Sequence, residues 1–488
     1  MKSAILRGLR NLLWPWASSS DGSRQLRPTA YLDGLRGFAA FLVYIHHHQL
    51  WAHDLNDCVT FESAFGYEGR YYFVMLPGIR NFFTGGHMAV AVFYVISGYV
   101  LTVKPLSLIH AGEHLKLLDN LASAFFRRWF RLFIPLIVTT FLYVTSWHVF
   151  GYWNAACEPK ATLREEWRNW YHEFKNFSFL FKESNIMVSY NTHLWSIPLE
   201  MRGSAIVYMA CAALSRATTQ ARLLCELGLV IYFLYVVDGY YGALFMAGML
   251  QCDLDLLARR DGGYFPRFLR RLEPYKTAIY CHLFVVGMYL AGVPSSDLGD
   301  TRGTVQYLSE NPGWYYLSLL KPQAVFNYKW FYLFFAGNML VACAARLGWL
   351  RRFFESPFCQ YLGRVSFALY LVHGPILNTI GDRIYYAVGW LRAPGDRDSG
   401  VAHWANLLPL SKAGPKGLEP AMLLPQIILL PLTLWVADVV TRTVDEQAVK
   451  FAASFYRFVQ GGGGGGGGGA GGLPEQKPVE LAPLTRVD

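Results

Sequence analysis

The sequence predicts an all-α fold, a polytopic integral membrane helix bundle with about ten transmembrane helices, and three observations carry that reading. The chain is 53% hydrophobic and 16% aromatic but only 16% charged, which is poor in charge for a soluble protein. Several apolar runs reach membrane-spanning length. The net charge of +10 is dispersed over short connecting segments. Such dispersal is the mark of topology signals, and no basic block or nucleic-acid motif accompanies it, so no nucleic-acid partner is expected.

Residues 1–28 form a basic arm with Lys2, Arg7, Arg10, Arg24 and Arg27. Its apolar run, Leu12 to Ala17, is too short and broken for a signal peptide. Residues 29–445 are expected to be the membrane domain, with helices centred on about positions 41, 95, 140, 205, 230, 248, 285, 337, 374 and 431. The tenth, Ala421 to Val440, and the eighth, Tyr328 to Ala345, read most clearly. The fifth and sixth are split only by Asp238 to Tyr241, so a re-entrant pair is the alternative to two crossings.

Placing the N-terminal arm in the cytosol puts Arg127, Arg128, Arg216, Arg222, Arg259, Arg260, Arg270, Arg271, Arg351 and Arg352 on the same side. Longer or more acidic loops, such as Trp51 to Gly85, fall opposite, as the positive-inside rule requires. The sequon Asn176-Phe177-Ser178 then lies in the outer loop between the third and fourth helices. Both termini are expected in the cytosol. Residues 446–460 are expected to form an interfacial helix, and 461–488, opening with the glycine run Gly461 to Gly469, a disordered tail. Of the eight cysteines, only Cys58 and Cys157 fall in outer loops, which makes them the one candidate disulfide.

The first helix, YLDGLRGFAAFLVYIHHH, carries ionisable groups where they are costly. At ~100° and ~1.5 Å per residue, Arg36 and His47 share one face and stand about 16 Å apart along the axis. That is the reach of an extended ligand. The alternative is an interfacial arginine and a histidine cluster snorkelling at the membrane edge. No zinc-type spacing accompanies His46 to His48, and no metal is expected.

Near the cytosolic side, Arg36 joins Arg127, Arg128 and Arg131 of FFRRWFRLFIP. Guanidinium groups grip phosphates bidentately, although arginines at an inner helix end also serve as topology signals. Toward the outer side, Glu200 of HLWSIPLEMRG sits roughly 7–8 Å deep, at a depth comparable to His47. A carboxylate orienting a histidine is a general-base arrangement. His193 and Arg202 are alternative partners for Glu200. Ser97-Gly98 in the second helix suits close helix packing. His373 lies mid-membrane beside Pro375, a buried histidine hydrogen-bonded to a neighbouring helix, with the proline fitting a kink.

Taken in order, DGLRGFAAFLVYIHH, FYVISGYVLT, RRWFR, LWSIPLE and SFALYLVHGPI resemble the motifs of the acyltransferase-3 family of integral membrane acyltransferases, and LWSIPLEMRGS is similar to its fungal branch. The resemblance covers Tyr31 to Val444. It implies transfer of an acyl group, usually acetyl from acetyl-CoA, to a hydroxyl of a carbohydrate, lipid or small metabolite. On this sequence it makes His47 the catalytic histidine, Arg36 its motif partner, Arg128 and Arg131 the donor-associated basic motif, and Glu200 the acidic position. Met201 stands where many relatives carry a second acid, and Ile134 is inserted before Pro135. In this reading acyl-CoA phosphates meet the arginines, and His47 deprotonates the acceptor with Glu200 orienting it. His373 is a candidate oxyanion partner. The rival reading is a transporter, but the charges gather into two end clusters and not at one midplane site.

Overall fold

The computed structural model describes residues 26–53, 61–152, 154–155, 157–180, 188–260, 265–295, 305–391 and 402–461. The arm up to residue 25, Cys58 with its possible bond to Cys157, and the glycine-rich tail after Gly461 lie outside the described residues. All regular structure among the described residues is helical. The main elements are α1 (Ala30–Ala52), α2 (Gly86–His110), α3 (His114–Phe150), α4 (Leu163–Phe177), α5 (Ser196–Ala213), α6 (Thr219–Tyr235), α7 (Tyr240–Ala258), α8 (Lys276–Ala291), α9 (Tyr328–Arg346), α10 (Pro357–Ile376), α11 (Gln426–Val440) and α12 (Glu446–Val459). Every expected helix centre falls inside one of them.

By length and composition, Gly86–His110, His114–Phe150 and the run Pro420–Val459 can each cross a membrane, and Tyr328–Arg346 with Gly348–Phe354, bent by 94°, makes a fourth. These long apolar helices mark an integral membrane protein. α1 carries too many polar residues for that test, yet most of it is buried among its neighbours. α2 is apolar on every face and sits at the centre, against α1, α5, α7 and α9.

Residue pairings give the helix directions. Arg36 meets Gly363 and Ser366 while His47 meets His373, so α1 and α10 run parallel. Ser97 meets Glu200 and Tyr94 meets Ser196, so α2 and α5 are also parallel. Asn338 on Gln251 and Arg346 on Asp255 make α9 parallel to α7. Arg364 on Asp438 and Tyr44 on Gln426 set α11 antiparallel to α10 and α1.

Backbone proximity locks two of these pairs. A Cβ on Gly98 would lie 2.1 Å from the Phe245 carbonyl oxygen, and one on Gly248 would lie 2.2 Å from that of Val95. Gly98 therefore does serve close packing, between α2 and α7, whereas Ser97 donates to Glu200 of α5. Gly37 meets the Gly363 backbone nitrogen at 2.1 Å by the same measure, and Gly363 meets the Asp33 carbonyl at 2.4 Å. Only residues without a Cβ let α1 and α10 approach so closely.

α6 and α7 form a hairpin whose turn places Asp238 at φ 53. A π-helical turn, Leu377–Gly381, follows the Pro375 site on α10, a local relief of the missing proline N–H. α12 lays Phe451 and Phe455 against Phe130 of α3, with ring centroids 6.0 and 5.4 Å apart. α4 is charged and amphipathic, outside any candidate span, and is capped by Thr162 accepting from the Glu165 amide.

Glu166 anchors α4. Burial pushes its carboxyl up, but donors at Tyr190 (2.7 Å), the Lys160 amide (2.7 Å) and His148 (3.0 Å) prevail and hold it below the ordinary glutamate range. A depressed folded value means the unfolded chain takes the proton first, so this stabilisation is complete above the unfolded pKa and fades as pH falls through the folded one. The protection of the α4 amides against exchange, taken relative to the intrinsic rate at each pH, should therefore fall below about pH 4.3, and Glu166→Gln should remove that dependence. Protection that stays constant through this range in the parent protein would contradict this. Gly37→Val should separate α1 from α10 and cost about 1–3 kcal/mol or more, seen as a lowered Tm in detergent; an unchanged Tm would mean the backbones yield freely.

Candidate active site

His47 of α1 meets two histidines from distant parts of the chain. His193 lies on the short turn Thr192–Trp195 that leads into α5, with its ring centroid 3.9 Å from that of His47. His373 of α10 is hydrogen-bonded through Nε2 to Nδ1 of His47 at 3.0 Å, and its own Nδ1 donates to the Leu369 carbonyl at 3.1 Å. Asn191 donates to the Leu371 carbonyl at 3.1 Å and holds the turn on α10. The ligand atoms of His47, His193 and His373 lie within 4.8 Å of one another, as do those of His46, Glu62 and His87. By distance either group could hold a metal ion. In the first, however, the His47–His373 bond already occupies two of the nitrogens.

A cavity of about 250 Å³ lies next to this cluster, with none of its three histidines in the wall. One part of its wall carries Arg36, Arg128, Arg131 and Arg364, with Asp445 among them. Another part carries Tyr94, Ser196 and Tyr370. The Tyr370 hydroxyl donates to the His193 carbonyl and shares a 2.7 Å hydrogen bond with Ser196 Oγ, and its ring centroid stands 5.8 Å from that of His373. One layer of side chains thus separates the arginine-lined cavity from the histidines.

The arginines differ in what already engages them. Arg36 donates to Ser366 Oγ and the Gly363 carbonyl, both at 3.1 Å, and pairs with Asp33 at 3.1 Å. Arg128 is buried, donating to Ser204 Oγ at 2.9 Å and to Glu200. Arg364 pairs with Asp438. Among the described residues, no hydrogen bond or ion pair engages the Arg131 guanidinium, although it faces the cavity.

Of the sequence-derived candidates, Arg36, Arg128, Arg131 and Glu200 come together in the cavity, while His47 lies beyond its wall. The expected pairing of Glu200 with His47 is corrected. Glu200 accepts from Arg128 and, at 2.6 Å, from Ser97 Oγ. A half-buried carboxylate is better neutralised by a guanidinium, which is always charged, than by an imidazole, and α3 starts early enough to bring Arg128 inside the bundle. Sequence reasoning gave Arg364, Tyr370 and Asp445 no role. Tyr370 alone left a signal, one helical turn before His373.

Comparison with known proteins gives the following. The family model for an acyltransferase domain, acyltransferase 3, matches residues 29–442. An O-acetyltransferase of Phomopsis amygdali, PaAT-1, is 30% identical over 396 residues, covering 75% of this chain and 76% of its own. Acyltransferase R4 of a Phoma species is 22% identical over 414 residues, covering 73% of this chain and 84% of its own. No solved structure matches.

The Arg128–Glu200 pair can be tested apart from any activity. Arg128→Met leaves the half-buried Glu200 carboxylate without its cation and should cost about 1–3 kcal/mol, whereas the Arg128→Met, Glu200→Met double variant should regain most of it. Thermal unfolding in detergent measures both. A double variant no better than the single would show that Glu200 is stabilised from elsewhere.

Proposed function

From the premise that the chain belongs to the acyltransferase-3 family and is an O-acyltransferase of it, we propose that it moves an acetyl group from acyl-CoA to a hydroxyl of a carbohydrate, lipid or small metabolite. The observation that carries this reading is a single cavity with arginines on one part of its wall and, on another, Tyr370 and Ser196 touching the histidine cluster. The name of the Phomopsis relative supports acetyl as the group transferred.

In this reading the bundle crosses the membrane about ten times, with both termini and the arginine end of the cavity on the cytosolic side. The pairings that make α1 parallel to α10, and α2 parallel to α5, support alternating crossings. Arg131 and Arg36 bind the phosphates of the donor, and Arg364 adds charge to the same wall. Glu200 serves this end by fixing Arg128. The distance of ~16 Å along α1 from Arg36 to His47 suits the extended arm of the donor, which reaches His47 only when the Tyr370–Ser196 layer of the cavity wall gives way.

His47 takes the proton of the acceptor hydroxyl as its oxygen attacks the thioester carbonyl carbon. The carbon–sulfur bond then breaks, and the same proton returns from His47 to the departing thiolate. The products are an ester and free CoA thiol, and the base is regenerated.

The test is thiol release by the purified protein given acetyl-CoA and a pool of candidate acceptors. Acceptor-dependent release is expected, with mass spectrometry naming the product. His47→Ala should lower kcat by about 10²–10⁴-fold, and full retained activity would remove His47 as the base. Arg131→Ala should raise KM for acetyl-CoA by about 10–100-fold through loss of a charge-assisted bond; an unchanged KM would leave Arg131 without a role in donor binding. Transport of an intact substrate with no thiol release would overturn the enzyme reading.

A further inference from the structure

The hydrogen bonds around His373 determine more than its own position. A carbonyl oxygen can only accept, so the 3.1 Å contact with Leu369 places a proton on His373 Nδ1. In the neutral ring the other nitrogen, Nε2, is then bare and accepts. Its 3.0 Å partner, His47 Nδ1, must therefore be the donor. That leaves Nε2 of His47 as the bare nitrogen, because a neutral imidazole carries one proton.

We propose that His373 is a positioning residue that holds His47 in the tautomer whose Nε2 is the base. The proposal rests on the reading of His47 as the general base and adds the group that orients it. Sequence reasoning assigned that task to Glu200, which is instead engaged by Arg128 and Ser97. The device is an acceptor chain from His47 Nδ1–H to His373 Nε2, and from His373 Nδ1–H to a backbone carbonyl in the preceding turn of α10. When Nε2 takes the acceptor proton, His47 becomes an imidazolium whose Nδ1–H is already held by His373. No proton needs to leave His373, and returning the Nε2 proton to the thiolate restores the starting state. The His193 ring, tilted by 45° with its centroid 3.9 Å from that of His47, limits rotation of the ring that would break this alignment.

The experiment compares wild type with His373→Phe and His373→Gln in detergent, measuring kcat and KM for acetyl-CoA separately. Phenylalanine keeps a planar ring but neither hydrogen bond. Its kcat should fall by at least about 10²-fold, because the tautomer is no longer fixed, while KM stays within about twofold. A glutamine amide can donate to Leu369 and accept from His47, so His373→Gln should recover most of the lost kcat. Unchanged kcat in His373→Phe, or a glutamine variant as impaired as the phenylalanine one, would overturn the proposal.

A second measurement does not depend on either variant folding. The ¹⁵N imidazole spectrum of histidine-labelled wild type, with His47 assigned by substitution, should show protonated Nδ1 and bare Nε2. The opposite tautomer would overturn the proposal whatever the variants do. If wild type released no thiol with any acceptor, the general-base reading would be the part that fails, and the spectrum would still decide the tautomer.

Discussion

The rest of the structure depends on the near contact of two backbones, α1 against α10. Gly37 and Gly363 remove the side chains that would keep the helices apart. Because the helices are parallel, one seam serves two purposes. Arg36 is brought to Gly363 and Ser366, and His47 is brought to His373. A helix advances ~1.5 Å per residue, so the spacing from Arg36 to His47 on α1 is matched by a nearly equal spacing from Gly363 to His373 on α10. A slip along the seam would disturb both ends together.

The second governing constraint is the cost of charge away from water. Arg128 with Glu200, Arg364 with Asp438, Arg346 with Asp255, and Arg222 with Asp253 are all paired within the bundle. Each pair ties two helices together. The pairs also decide how much charge the cavity offers. Of four guanidiniums on its wall, Arg128 and Arg364 are each held by a carboxylate of the bundle, and Arg36 by Asp33. Specific geometry and residual charge thus come from the same side chains.

Most of the helices were legible in the sequence as apolar runs, whereas α4, charged and amphipathic, was read only as part of an outer loop. Arg36, Arg128 and Arg131 were also legible, as costly residues at the ends of apolar runs. What remained hidden was azimuth. Depth alone made His47 and Glu200 plausible neighbours, but which way each points depends on rotation about α1 and α5, which no run length records. Arg128 was read as a terminal residue of the third span. In the structure α3 begins at His114, so Arg128 stands well inside a continuous helix. His373 was recognised as buried and hydrogen-bonded, whereas its partner was unknowable until α10 was laid on α1.

The seam between α1 and α10 also bears on how the protein is made. The first helix leaves the ribosome with Arg36 and His47 facing nothing, and the segment that receives them is synthesised some three hundred residues later. Until then those side chains lack the partners that α10 supplies, and the packing of α1 is completed only when α10 arrives. A chain interrupted before Pro357 would possess His47 and three of the four cavity arginines, and yet neither His373 nor Arg364 to complete the arrangement.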